Sequence, residues 1–142
     1  MPIDAKTDEQ IQACFDVMVQ LRPHLVRETF VSTVRAMQSS GYRLAYTEAA
    51  GRVVAVAGYR IQTNLAVGRH LYIDDLVTTG GQRSQGAGSE LIAWLQDQAR
   101  SRGCTCVELD SGPQRGRAHK FYFTHGFTIA YYHFHKGLDT GA

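Results

Sequence analysis

The segment Arg83-Ser84-Gln85-Gly86-Ala87-Gly88-Ser89 stands between a β-rich run ending at Thr78 and a helical pattern opening near Gly86. The first backbone N–H groups of a helix have no intrahelical partner, and the helix dipole adds about half a positive charge there. Glycine at 86 and 88 removes side chains that would block an approaching phosphate. The segment is a candidate anion cradle; the plainer reading is a glycine-rich loop with no ligand. A P-loop would need Gly-Lys-Ser/Thr after the glycines, which is absent. A dinucleotide fingerprint would need a third Gly or Ala where Leu91 stands. It has some support, because Glu108 lies about 20 residues on at a strand end. That motif belongs to a first βα unit, however, and here two helices and a meander come first. A third pattern, Gln/Arg-x-x-Gly-x-Gly/Ala, fits Arg83 to Gly88 in full.

Other groups with chemical potential are fewer. Asp74 and Asp75 adjoin on a predicted strand, where alternation sends their side chains to opposite faces. Arg115-Gly116-Arg117-Ala118-His119-Lys120 is the one basic cluster. It can clamp a phosphate or an anionic group on a substrate, or it can be a solvated helix start. Cys104 and Cys106 are too few for a structural zinc site and read as buried strand cysteines. His133 and His135 share one strand face and read as a partly exposed strand; no metal is expected. Tyr122 adjoins Phe121 on a short amphipathic helix, and spacing alone makes it a core residue.

These groups must be positioned by a chain of 142 residues, the length of one ordinary domain. Hydrophobic residues are 44% and charged residues 20%, which excludes a disordered chain. Lys+Arg 15 against Asp+Glu 13 leaves a charge of +2, too balanced for a dedicated nucleic-acid binder. No apolar run long enough to span a membrane and no signal-peptide pattern is present, and three cysteines make no disulfide framework. A cytoplasmic location is expected.

Apolar spacing predicts helices over 8–21 and 25–39, with Pro23 ending the first and Gly41 the second. Strands follow over 42–47, 53–61 and 71–78, then a helix over 86–102 with Gly103 as its cap. A short strand over 105–110, a turn at Ser111-Gly112-Pro113, a helix through Ala118 to His125 and a strand or strand pair over 127–135 complete the reading. The order implies an α/β domain over 1–142, with a mixed sheet of about six to seven strands and helices on both faces. The last strand, apolar and aromatic, can serve as a homodimer edge.

The chain resembles the GNAT superfamily of N-acetyltransferases over nearly its whole length. Ile73-Asp74-Asp75-Leu76-Val77-Thr78 is similar to the family's fourth strand, Arg83 to Gly88 to its pyrophosphate loop, and Ala118 to Phe127 to its Ala-x-x-x-Tyr-x-x-x-Gly-Phe ending. The stretches Glu108–Ser111 and Gln114–Tyr122 are similar to aminoalkylphosphonate N-acetyltransferases and their small-amine relatives. One departure is Arg115, where many members carry an Asn that contacts CoA.

The resemblance implies acetyl-CoA as co-substrate. Its pyrophosphate would lie on the amides of 83–89 (Arg83, Ser84, Gln85, Gly86, Ala87, Gly88, Ser89), and its pantetheine arm along Leu76, Val77 and Thr78. The acceptor would be the primary amine of a small molecule, attacking directly in a ternary complex. Acetylation of a protein or peptide amine, or CoA binding without turnover, are the alternatives. Acetyl transfer needs a neutral amine, donors for the oxyanion and a proton for the leaving thiolate. Amides near Leu76 and Val77 can serve the oxyanion. The family places its usual general acid at Tyr122. Asp74, ahead of Asp75, is the candidate base, and Arg115 and Arg117 can touch an acidic acceptor.

Overall fold

The computed structural model describes residues 1–80 and 86–139. The chain divides into two compact units, Met1–Leu109 and Asp110–Ala142.

The first unit is built on a five-stranded sheet in the order β1 (Ile3–Asp4), β2 (Tyr42–Ala49), β3 (Arg52–Asn64), β4 (Gly68–Thr78) and β5 (Val107–Leu109). Neighbours are antiparallel except β4 and β5, which are parallel. A parallel pair needs a crossover, and α4 (Ala87–Ser101) supplies it. The remaining helices are α1 (Asp8–Ala13), α2 (Phe15–Leu21) and α3 (Phe30–Gln38).

Alternation along the strands builds two apolar layers. Tyr42, Leu44, Tyr46, Val56 and Val77 form a buried cluster with Ile11, Phe15, Val17 and Met18 of α1 and α2 and with Phe30 and Val34 of α3. On α4, Leu91, Ile92, Leu95 and Ala99 are buried, and Trp94 meets the fully buried Tyr59 edge-on, ring centroids 6.0 Å apart. The chain is thus α/β, a mixed sheet with helices on both faces.

Several boundaries differ from the expectations. The first predicted helix is divided at Cys14, whose N–H bonds to Ile11 O. Thr7 caps α1 in a reciprocal box with Gln10. The second predicted helix begins later, at Phe30, behind a 3₁₀ turn over Arg27–Thr29. The described residues form five strands, not six or seven. The short β1 was unforeseen, and no strand is formed over 127–135, where Phe127 N–H donates back to Tyr122 O and no ladder with a described strand is made. Cys104 and Cys106 precede β5 and are half-buried, so they are not buried strand cysteines.

The second unit contains α5 (Gly116–Thr124). His119 Nε2 lies 2.8 Å from Gly112 O and Arg115 N–H donates to the same carbonyl at 3.1 Å, which fixes the turn before the helix. Gly126, at φ +83°, ends it in the left-handed conformation that glycine takes without strain.

Candidate active site

The site grows from an irregularity in β4. Gly58 pairs with Asp75, but Tyr59 pairs with Ile73, so Asp74 is an extra residue in β4. Such a bulge kinks the strand and re-aims its side chains. The parallel ladder with β5 ends at this point, its last pair being Ile73 with Leu109. Beyond it, no described strand covers the β5 side of Asp74 to Thr78. Thr79 N–H donates to Val54 O at 2.8 Å, which sets the phase of the β3–β4 ladder. Antiparallel alternation then turns the amides of Leu76 and Thr78 toward the open edge and that of Val77 toward β3. The result is a strand edge with unused donors and acceptors.

The end of α2 brackets this open segment. Gln20 Nε2 donates to Thr79 Oγ1 at 3.0 Å, and its Oε1 accepts from Gly80 N–H at 3.2 Å. Arg22 donates from Nε to Asp75 Oδ1 at 2.8 Å and from Nη2 to Asp74 O at 3.0 Å.

The two acids do not point to opposite faces, as simple alternation would have them. Asp75 Oδ2 accepts from the hydroxyl of buried Tyr42 at 2.8 Å. Asp74 Oδ2 accepts from Arg60 Nε at 2.9 Å, and the Arg60 guanidinium lies 5.3 Å from the centre of the Tyr42 ring. Tyr42 and Arg60 are cross-strand partners, so both carboxylates serve the face that carries α1 to α3. The bulge is the cause, since one extra residue resets the alternation. Burial and the neighbouring Asp75 carboxylate push the Tyr42 phenol far above its ordinary value, so it is a permanent donor. Both oxygens of Asp75 are engaged. Asp74 keeps Oδ1 without a described partner.

Gly58 makes this contact geometrically possible. A Cβ there would overlap the Tyr42 hydroxyl and stand 2.6 Å from Asp75 Oδ2. A lone Gly among Val, Ala and Tyr in a strand marks a bulge or a close approach. That was the one sequence signal for the network. Arg22, Gln20, Tyr42 and Arg60 carried none.

At the other end of the open edge, Gly86 precedes α4 with φ +87°, and no described side chain caps the helix. A Cβ at Gly86 would find no described atom within 4 Å. Ala87 is buried, and Gly88 and Ser89 belong to the first turn. Arg83, Ser84 and Gln85 lie outside the described residues.

In the second unit, Tyr122 is half-buried on α5, with the ring of Phe127 5.8 Å away. Burial raises its pKa above the ordinary 10.0, and the charge of Arg115 opposes this in part. Arg115 and Arg117 are exposed. The buried Ser111 Oγ has no described hydrogen-bond partner. His133 Nδ1 lies 3.2 Å from Asp110 Oδ2 on an exposed segment. Among the described residues, no three His, Cys, Asp or Glu side chains gather as a metal site would require. No described helix is long and apolar enough to cross a membrane.

The mixed sheet opens beside a bulged strand and runs toward a glycine-led helix, and comparison with known proteins says which class of protein carries this arrangement. Residues 10–127 match the acetyltransferase (GNAT) family. The chain is 37% identical over 130 residues to an uncharacterized N-acetyltransferase, YhdJ, of Bacillus subtilis, covering 90% of this chain and 92% of that one. It is 34% identical over 98 residues to the aminoalkylphosphonate N-acetyltransferase of Salmonella typhimurium, covering 68% of this chain and 62% of that protein. Among solved structures, glucosamine-6-phosphate N-acetyltransferase of Arabidopsis thaliana superposes with a TM-score of 0.79 at 20% identity, over 98% of each chain. The aminoglycoside N-acetyltransferase AAC(6')-Iy, solved with CoA, gives 0.83 at 15% identity, over 96% of this chain and 95% of that one. The chain belongs to the GNAT family, whose members use acetyl-CoA, and it is an N-acetyltransferase.

Proposed function

We propose that this enzyme moves the acetyl group of acetyl-CoA to the primary amine of a small molecule, by direct attack within a ternary complex. The observation that carries the reading is the open edge of β4, uncovered from Asp74 to Thr78 and leading toward the start of α4. An extended pantetheine arm can hydrogen-bond to that edge as a strand would. The pyrophosphate would take the amides from Arg83 to Ser89. The family match spans both units, which supports one acetyltransferase domain over 1–142.

In this scheme Asp74, with its uncommitted Oδ1, takes a proton from the acceptor ammonium, directly or through water. The amine nitrogen attacks the thioester carbonyl. The Leu76 amide, turned to the open edge, supports the oxyanion. As the C–S bond breaks, Tyr122 gives its proton to the departing sulfur, and the nitrogen of the new amide sheds its extra proton, directly or through water, to the phenolate left on Tyr122. Asp75 serves as a fixed partner of Tyr42 and Arg22. Arg115 and Arg117 offer charge for an acidic group on the acceptor. The relative that acetylates aminoalkylphosphonates supports a small anionic amine. We place the reaction in the cytoplasm.

The test is a screen of amines with detection of free CoA thiol. Aminoalkylphosphonates, amino sugars, diamines and lysine-containing peptides would be compared at equal concentration. Turnover on small amines, highest on those with an acidic group, is the expected outcome. Turnover on peptides alone would overturn the acceptor class, and acetyl-CoA binding without any turnover would reduce the protein to a binding module.

A further inference from the structure

We infer that Gln20 is a positioning residue for acetyl-CoA. By pinning the end of β4 at Thr79 and Gly80, it holds the Leu76 and Thr78 amides in line for the pantetheine arm without touching the ligand. This rests on the reading, given above, of the β4 edge as the seat of that arm.

The Gln20 amide is fully engaged although the residue is exposed. Its Nε2 donates to Asp16 O at 3.2 Å and to Thr79 Oγ1 at 3.0 Å, and its Oε1 accepts from Gly80 N–H at 3.2 Å. Turning the amide over would set its NH₂ against the Gly80 N–H, donor against donor, so its partners fix its orientation. An exposed side chain bonded in this way gives up rotamer freedom for bonds that water could supply, and the fold gains little. The bond to Asp16 O, one turn back, ties the amide to α2, so Gln20 transmits the position of a packed helix to β4.

The strand needs such a fixing at this point. From Leu76 onward, described main-chain bonds hold β4 on the β3 side alone. The last of them runs from Thr79 N–H to Val54 O at 2.8 Å. Antiparallel alternation turns the next N–H, that of Gly80, to the open side, as it does those of Leu76 and Thr78. Gln20 takes the Gly80 N–H. At the other end, Arg22 Nη2 donates to Asp74 O at 3.0 Å. The end of α2 thus grips β4 at residues 74 and 80. Leu76 and Thr78 lie between the grips, their amides without a described partner. A strand held along one side frays at its end, and fraying would turn those amides away. Fixing the end beforehand removes that ordering cost from binding.

Gln20→Met keeps the length and helix preference of the side chain and removes all three bonds. Thr79→Val removes the hydroxyl alone. Acetyl-CoA is titrated by calorimetry. Amide NMR follows both acetyl-CoA and S-acetylpantetheine, which has the arm and the thioester but no pyrophosphate. In the wild type both ligands should move the Leu76 and Thr78 amide resonances. In Gln20→Met the same resonances should reach the same end points, with Kd raised about tenfold for each ligand, the order expected when a bonded fixing is lost. Thr79→Val should raise both by a smaller factor, and the unfolding midpoint should stay at the wild-type value. Wild-type affinity in Gln20→Met, with Leu76 and Thr78 still moving, would overturn the role of Gln20 alone. A loss confined to acetyl-CoA would do the same, since the effect would then lie with the pyrophosphate. So would a loss accompanied by a lowered unfolding midpoint, which would make Gln20 a structural residue. If neither ligand moves those amides in the wild type, the edge is not the seat of the arm, and the underlying reading falls as well.

Discussion

On β4, each carboxylate is held by a guanidinium, Asp74 by Arg60 and Asp75 by Arg22, with Tyr42 as a third donor. In the second unit, Tyr122 is set by a helix of nine residues with no buried member and by the rings of Phe121 and Phe127. The β4 acids are half-buried beside the core residue Tyr42 and cannot move without breaking a salt bridge or the Tyr42 hydrogen bond. Tyr122 sits on an element with few fixings. The difference teaches that changes at Gly58, Tyr42 and Asp75 should be felt as stability, whereas changes around Tyr122 and the start of α4 should be felt as binding or rate.

The largest effect is expected at Gly86. Gly86→Asp puts a carboxylate where the pyrophosphate would lie, and calorimetry should show acetyl-CoA affinity weakened by roughly 10²-fold or more, about 3 kcal/mol. The fold should survive, since a Cβ there meets no described neighbour and the left-handed φ costs only about 1–2 kcal/mol. Unchanged affinity would remove this helix start from the acetyl-CoA site.

Tyr122→Phe should lower the single-turnover acetyl-transfer rate by at least ~10²-fold, or about 3 kcal/mol of barrier, because general acid catalysis contributes roughly that much. Acetyl-CoA affinity should stay within a few-fold and the unfolding midpoint should hardly move. The raised Tyr122 pKa gives a sign to the pH dependence. The proton stays on the phenol through neutral pH, so loss of the acid should slow the rate only above about pH 10. A wild-type single-turnover rate in Tyr122→Phe would make the residue a packing group.

Gly58→Ala probes the opposite region. Its Cβ collides with Tyr42 and crowds Asp75, so either the Tyr42–Asp75 bond or the strand must shift. Overpacking of this kind costs about 1–3 kcal/mol, to be read by denaturant unfolding. Tyr42→Phe alongside it should recover part of the loss by removing the colliding hydroxyl. A neutral Gly58→Ala would show that β4 is as loosely fixed as the second unit and would dissolve the contrast.

Arg115→Ala should give the smallest change, a few-fold rise in KM with unfolding unaffected, since Arg115 is exposed. If the arginine holds an acidic acceptor, KM for the amine rises and that for acetyl-CoA stays. The reverse would assign it to the CoA phosphates.

The sequence by itself determined the chemistry of the chain and the order of its parts. Loop spacing from Arg83 to Gly88 and the Ala118–Phe127 run carried the resemblance to the family that the comparisons show, because both are patterns written in consecutive residues. The helices and the three long strands were legible for the same reason, their periodicities being local.

Only the tertiary structure decided what the acids do. A bulge is a relation between two strands, and nothing in Asp74-Asp75 announces that β4 gains a residue against β3. Their guanidinium partners come from positions far apart in the chain, Arg22 at the end of α2 and Arg60 on β3. Which carboxylate keeps a free oxygen is likewise settled by those distant partners. The segment after Gly126 shows the same limit. Its residues favour a strand, but a strand exists only where another backbone completes a ladder with it, and no ladder with a described strand is formed there.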